Sequence, residues 1–307
     1  MSGSQRRPAR GPKRRQFAQG VLTAAVAGIV GEAPVSTASA KPQTMPQTMP
    51  TQAVRLESLT WAEAEAVLRQ HRLAVVPVGA RCKEHGMHLP LNTDFLMAEY
   101  LAERIAQDCP VVLLPTVQYG YYPAFVEYPG SMHIRQDAFR DTLEDICHSL
   151  ARHGLRRVYF LNTGISTSWA LEPARQHLAA AGILMEYTDL TSATAAVEAG
   201  LRQQSAGTHA DEIETSMLLY MAPQVVQLQR AQRDIHPERG PGPLTRDPAA
   251  RKGVYSPTGA WGDPTLATKE KGRIVTEALV AHIKDALRAF AAEHYVPAPP
   301  RERYLKP

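Results

Sequence analysis

The sequence predicts an α/β fold with a mostly parallel sheet covered by helices on both sides. Two observations predict it. Short apolar runs alternate with segments of helical period, and the polar motifs follow directly after the apolar runs. In sheets of this kind ligand chemistry gathers at the carboxyl ends of the strands.

The elements follow in order. Thr60 with Glu63 makes a capping box that opens the helix WAEAEAVLRQH. LAVVPV at 73–78 is almost wholly apolar, as a strand buried on both faces must be. The helical segment FLMAEYLAERIAQ leads to a strand VVLLP at 111–115. A helix over 136–153 passes through Gly154 into the strand RVYFL at 157–161. A helix over 170–181 precedes the strand ILMEY at 183–187. A helix over 211–221 stops near Pro223, and the last element is a helix over 273–293. The stretch at 233–253 is rich in Pro, Gly and Arg and is expected at the surface, as a lid or a subunit contact.

The 307 residues are 44% hydrophobic and 21% charged, enough for one large domain with a proper core. The net charge of +4 is concentrated at the start. Arg6, Arg7, Arg10, Lys13, Arg14 and Arg15 face only Glu32 within residues 1–40, so the rest of the chain is close to neutral. No basic patch for nucleic acid is therefore expected. PKRRQFAQG, the apolar run VLTAAVAGIVG and ASA at 38–40 have the order of a signal peptide. Arg14, Arg15 and Phe17 resemble a twin-arginine signal, and the apolar run is too short to span a bilayer. Cleavage after Ala40 would release a periplasmic or secreted protein. Residues 41–54, with their QTMP repeat, are expected as a tether, residues 55–295 as one domain and 296–307 as a tail. The three cysteines have no paired spacing. Cys109 and Cys147 are expected as buried apolar groups, whereas Cys82 lies inside the richest motif.

That motif, RCKEHGMHLPLNTD at 81–94, follows the first apolar strand. Gly86 lets the chain turn between His85 and His88, and Pro90 fixes its exit. With His209, Asp211, Glu212 and Glu214 from HADEIETS, it supplies imidazoles and carboxylates suited to Zn²⁺, Mn²⁺ or a similar ion. A hydrogen-bonded polar loop would use the same residues, and composition alone does not separate the two.

VPVGARCKEHGMHLPLNTD resembles the signature of the creatininase family of amidohydrolases. YPGS at 128–131, HADEIETS at 209–216 and TGAWGDPTLATKEKG at 258–272 resemble three further family segments, in the family's order. The resemblance implies a three-layer α/β/α fold, an oligomer, a binuclear metal centre and hydrolysis of amide-type C–N bonds in small or cyclic amides. It implies metal ligands at His85, Asp94 and Glu212, with His209 or Glu212 moving protons during attack by metal-activated water.

Two family ligands are replaced in this chain. Lys83 stands where the first glutamate is expected, and Gly164 stands where a histidine is expected. A protonated lysine has no lone pair for a metal and glycine has no side chain. The expectation is one ion instead of two, with the Lys83 ammonium in the vacated charge position beside Asp94. Lys83 could instead bind a substrate anion or serve as a general base. Glu84 could move into the empty ligand place, although its side chain should point opposite to that of His85. His88 is expected to orient the site. Asp211 and Glu214 are expected to cap the following helix.

Tyr121, Asn162, Ser166 and Trp261 lie in loops at strand ends and are expected to bind substrate. The reading is an exported amidohydrolase using Zn or Mn, whose partners are a small amide, the twin-arginine machinery and a second copy of itself. The rivals are a non-catalytic binding protein that has lost its metals, and a metal-independent enzyme using Lys83 or Cys82.

Overall fold

The computed structural model describes residues 52–236 and 243–293. The expected signal segment, most of the tether and the tail lie outside them. Five strands form one sheet: β1 (Val54–Arg55), β2 (Ala74–Val78), β3 (Val112–Leu113), β4 (Arg157–Asn162) and β5 (Leu184–Tyr187). Their order is β1-β3-β2-β4-β5 and every pairing is parallel. Helices α1 (Trp61–Gln70), α2 (Thr93–Ala106), α3 (Gln136–Arg152) and α4 (Ser168–Ala180) link successive strands. The short α5 (Leu190–Ala193) and α6 (Ala195–Ala199) follow, then α7 (Glu212–Met221) and the long α8 (Lys269–Ala292).

The period-two alternation of the strands separates two apolar layers. Val158 and Phe160 of β4, with Ala74 and Val76 of β2, pack against Leu68 of α1, Phe139 and Leu143 of α3, and Leu171 and Leu178 of α4. Tyr159 and Leu161, with Val75, face the other way onto Leu101 and Ile105 of α2, Ile213 of α7, and Leu279 and Ile283 of α8. The architecture is therefore three layers, helices on sheet on helices. Each large side chain removed from water in this way contributes roughly 1.5–3 kcal/mol.

The Thr60–Glu63 capping box forms as expected. Cys109 and Cys147 are buried, and burial pushes both thiols up in pKa. Two expectations need correction. Ala53 and Val54, expected in the tether, belong to the fold: Ala53 N–H donates to the Ala106 carbonyl and Val54 joins the sheet edge. The stretch at 233–253 is not wholly a surface excursion either. Within it β6 (Leu244–Thr245) pairs in parallel with β7 (Val254–Tyr255), which directly follows the stretch. Leu244 and Val254 pack with Ala80, Tyr122, Phe125 and Tyr128 in a third apolar cluster.

What positions the site is the end of β2. Gly79 follows it, and any side chain there would collide with the Asp94 carbonyl and the Ala98 methyl of α2. That close approach sets the first turn of α2, and with it Asp94, against the sheet. Thr163, just past β4, holds the same carbonyl through its hydroxyl at 2.9 Å.

Candidate metal and active site

The loop after β2 turns Lys83 and His85 toward Asp94 and the Glu84 between them away from it. Lys83 Nζ donates to Asp94 Oδ2 at 2.8 Å, and both groups are almost fully buried. The ammonium also lies 4.8 Å from the centre of the Phe125 ring. Glu84 turns the other way, and His85 points back to Asp94. Gly86 has φ +69, the turn expected between the two imidazoles.

His85 is completely buried. Its Nδ1 lies 2.9 Å from the Lys83 carbonyl, which can only accept, so Nδ1 carries the proton in the neutral ring. Nε2 then presents its lone pair to Asp94 Oδ1 at 2.9 Å and Glu214 Oε1 at 3.6 Å. Three acceptors cannot face one another without a positive charge among them. A proton on Nε2 or a divalent cation meets that demand. Burial and the Lys83 ammonium disfavour the charged ring, but Asp94 and Glu214 outweigh them and raise the His85 pKa. At Asp94 the penalty of burial is overcome by Lys83 and His85, which hold its carboxyl far below the usual range.

His209 enters from the segment before α7. It pairs with Trp261 through an isolated antiparallel bridge, and Phe125 lies 4.2 Å from its ring centre. Its Nε2 lies 3.2 Å from Glu84 Oε2 and its Nδ1 3.8 Å from Glu214 Oε2. His85, His209 and Glu214 each offer a ligand atom, all within 4.8 Å of one another. Two imidazoles and a carboxylate that converge in this way fit one divalent ion of the zinc or manganese type.

This set differs from the expected one of His85, Asp94 and Glu212. Glu212 is completely buried on the far side of α7, where Lys271 of α8 and the backbone N–H groups of Gln203 and Gln204 hold its carboxylate. Burial is opposed by the Lys271 hydrogen bond, and the Glu212 pKa falls. Glu212 therefore ties α7 to α8 and does not face the imidazoles. Two residues on, Glu214 does, while its Oε2 also accepts from Ala210 N–H at 2.6 Å. Helical periodicity allows only one of two carboxylates two residues apart to face one point, but the choice of Glu214 depends on the phase of α7, which periodicity alone does not give. Asp211 caps α7 as expected, accepting from Ile213 and Glu214 N–H, and burial pushes its carboxyl up to about 6.

A cavity of about 410 Å³ adjoins this group. Lys83, His209, Glu214, Ser166 and Trp261 line it, together with Phe125, Trp169 and Ile165. Two expected substrate residues lie elsewhere. The Asn162 amide is engaged by the Gly164 backbone, with Nδ2 donating to its carbonyl at 2.9 Å and Oδ1 accepting from its N–H at 3.1 Å. Tyr121 is outside the lining and packs beside His133 and Trp169. His88, almost fully buried, contacts Thr215 Oγ1 at 2.8 Å and orients α7 against the loop.

The chain matches the family model of creatininase, described as creatinine amidohydrolase, over residues 57–287. It belongs to the creatininase family. A creatinine amidohydrolase of Pseudomonas putida is 29% identical over 75% of this chain and 94% of its own length. A mycofactocin precursor peptide peptidase of Mycobacterium tuberculosis is 30% identical over 73% of this chain and 86% of its own. A solved mutant creatininase of the Zn–Zn type has a TM-score of 0.65 and 26% identity, covering 79% of this chain and 100% of its own. A manganese creatininase has a TM-score of 0.63 at the same identity and coverage. The solved relatives thus pair this fold with divalent metals, and the named relatives are hydrolases.

Proposed function

We propose that the protein is an exported creatininase-type amidohydrolase that uses one divalent ion, zinc or manganese, held by His85, His209 and Glu214. The observation that carries this reading is the convergence of those three side chains at the wall of the cavity. A bound ion supplies Lewis acidity toward water and an amide carbonyl.

The second ion of the family's solved Zn–Zn form is replaced here by a side chain. Lys83 Nζ occupies the outer oxygen of Asp94, and a side chain begun at Gly164 would place its Cβ 3.8 Å from that same oxygen. Both replaced ligands thus border one atom, and the ammonium compensates the charge there. Lys83 also lines the cavity, so its remaining N–H groups are donors available to a substrate oxygen. Ser166 Oγ offers a further hydrogen bond. Phe125, Trp169 and Trp261 exclude water and present flat apolar walls to a small amide.

The same Lys83–Asp94 pair favours a second reading, a binding protein whose carboxylate cluster is neutralised without metal. Elemental analysis of the purified protein separates the two. About one zinc or manganese per chain, lost in His85→Ala and Glu214→Ala, supports the enzyme; a folded, metal-loaded sample that retains none contradicts it. The export proposal rests on Arg14 and Arg15. Arg14→Lys with Arg15→Lys is expected to abolish secretion, and intact secretion overturns the twin-arginine assignment.

A further inference from the structure

Glu84 is a buried carboxylate that the proposed ion and the cavity leave without a task, since neither set of residues includes it. Burying a carboxylate is costly unless its oxygens are paired. Its Oε1 accepts from Gly86 N–H, and its Oε2 faces His209 Nε2 at 3.2 Å. The surroundings are shaped to hold it there. Ser131 Oγ accepts from the Glu84 N–H at 3.0 Å. On the opposite side Gly259, with φ +86, leaves the space the carboxylate fills, and any side chain at that position would collide with Glu84 Oε1. His209 is clamped as well, its backbone by Trp261 and its ring by Phe125.

We infer that Glu84 is a positioning residue that fixes His209 in the Nε2–H form and directs Nδ1 toward Glu214 and the cavity. The chemistry follows from the donor inventory. An ionised carboxylate only accepts, so the nitrogen facing it carries the proton and the other keeps its lone pair. Carboxylates placed behind metal-binding imidazoles fix the ring's tautomer and increase its basicity as a ligand. Glu84 does not join the ligands itself, because it meets the nitrogen of His209 that faces away from Glu214. The effect on metal affinity rests on the single-ion reading above, whereas the tautomer stands independently of it.

The test uses the full chain with ¹⁵N-labelled histidine, without metal and then titrated with Zn²⁺ against a chelator of known affinity. Wild type, Glu84→Gln and Glu84→Ala are compared, with circular dichroism and thermal melting as checks on folding. The wild-type His209 resonances are expected to show the Nε2–H form, and Zn²⁺ is expected to perturb Nδ1. Glu84→Gln keeps an acceptor oxygen and retains the tautomer. Glu84→Ala loses the tautomeric bias and binds Zn²⁺ about 10- to 100-fold more weakly. An Nδ1–H form in the wild type overturns the inference. So does Zn²⁺ bound at Nε2, or a folded Glu84→Ala with unchanged tautomer and affinity. If Glu84→Ala does not fold, the wild-type and Glu84→Gln spectra decide. If the wild type binds no Zn²⁺, the metal reading fails and the tautomer alone decides the role of Glu84.

Discussion

At the scale of single residues, two neighbouring carboxylates of α7 have opposite fates. Glu212 is locked to Lys271 and two backbone N–H groups, whereas Glu214 faces two imidazoles. Glu214→Gln is therefore expected to abolish metal retention with little change in melting temperature. Glu212→Ala removes the carboxylate partner of Lys271 and the acceptor of two backbone N–H groups, and is expected to lower stability by about 3–5 kcal/mol while leaving metal content intact, as denaturant unfolding and elemental analysis would show. The sequence motif made the chemistry of this region legible but not which carboxylate turns inward. That depends on the phase of α7, set by Asp211 at its cap and by the packing of Ile213 and Leu218. Lys83 was legible as a departure from the family pattern, and its contact with Asp94 follows from elementary charge pairing. Asn162 was not legible, because its polar amide is engaged in closing the turn at Gly164.

At the scale of elements, the loop after β2 is welded to α7 by a buried histidine. Burial pushes the His88 pKa down to about 4 from 6.5, so the folded protein binds fewer protons there than the unfolded chain between those values. The stabilisation is full above pH 6.5 and is lost as pH falls toward 4. It amounts to about 3 kcal/mol at most. Asp211, raised to about 6, acts in the opposite sense, so the slope is read as the difference between wild type and His88→Gln in denaturant unfolding across that window, with wild type gaining on the variant as pH rises. At the edge of the fold, Thr60→Ala removes the hydroxyl half of the capping box of α1, leaving the residue 60 N–H bonded to Glu63, and is expected to cost about 1 kcal/mol. Strand and helix order was readable because β2, β3, β4 and β5 are flanked by apolar layers on both faces. β1 was not readable. Two residues at a sheet edge carry no period, and only their bonds to the α2 end and the residue before β3 place them.

At the scale of the whole molecule, three layers carry a cavity whose wall combines a small imidazole–carboxylate group with aromatic side chains. A volume of about 410 Å³ admits a small amide and suits a compact substrate. Leu244→Trp is expected to narrow the cavity and to weaken or abolish turnover of any amide found to be hydrolysed, with metal content unchanged. The lining contributed by Leu244 and Val254 escaped sequence reading because their surroundings are rich in Pro and Gly and show no strand period. The central claim is one ion among His85, His209 and Glu214, with Lys83 in the place of a second. Crystals grown with Zn²⁺ and measured at the zinc absorption edge test it most directly. The account predicts a single anomalous peak within bonding distance of those three side chains and the Lys83–Asp94 contact intact; two peaks, or a peak bound by Glu212, would contradict it.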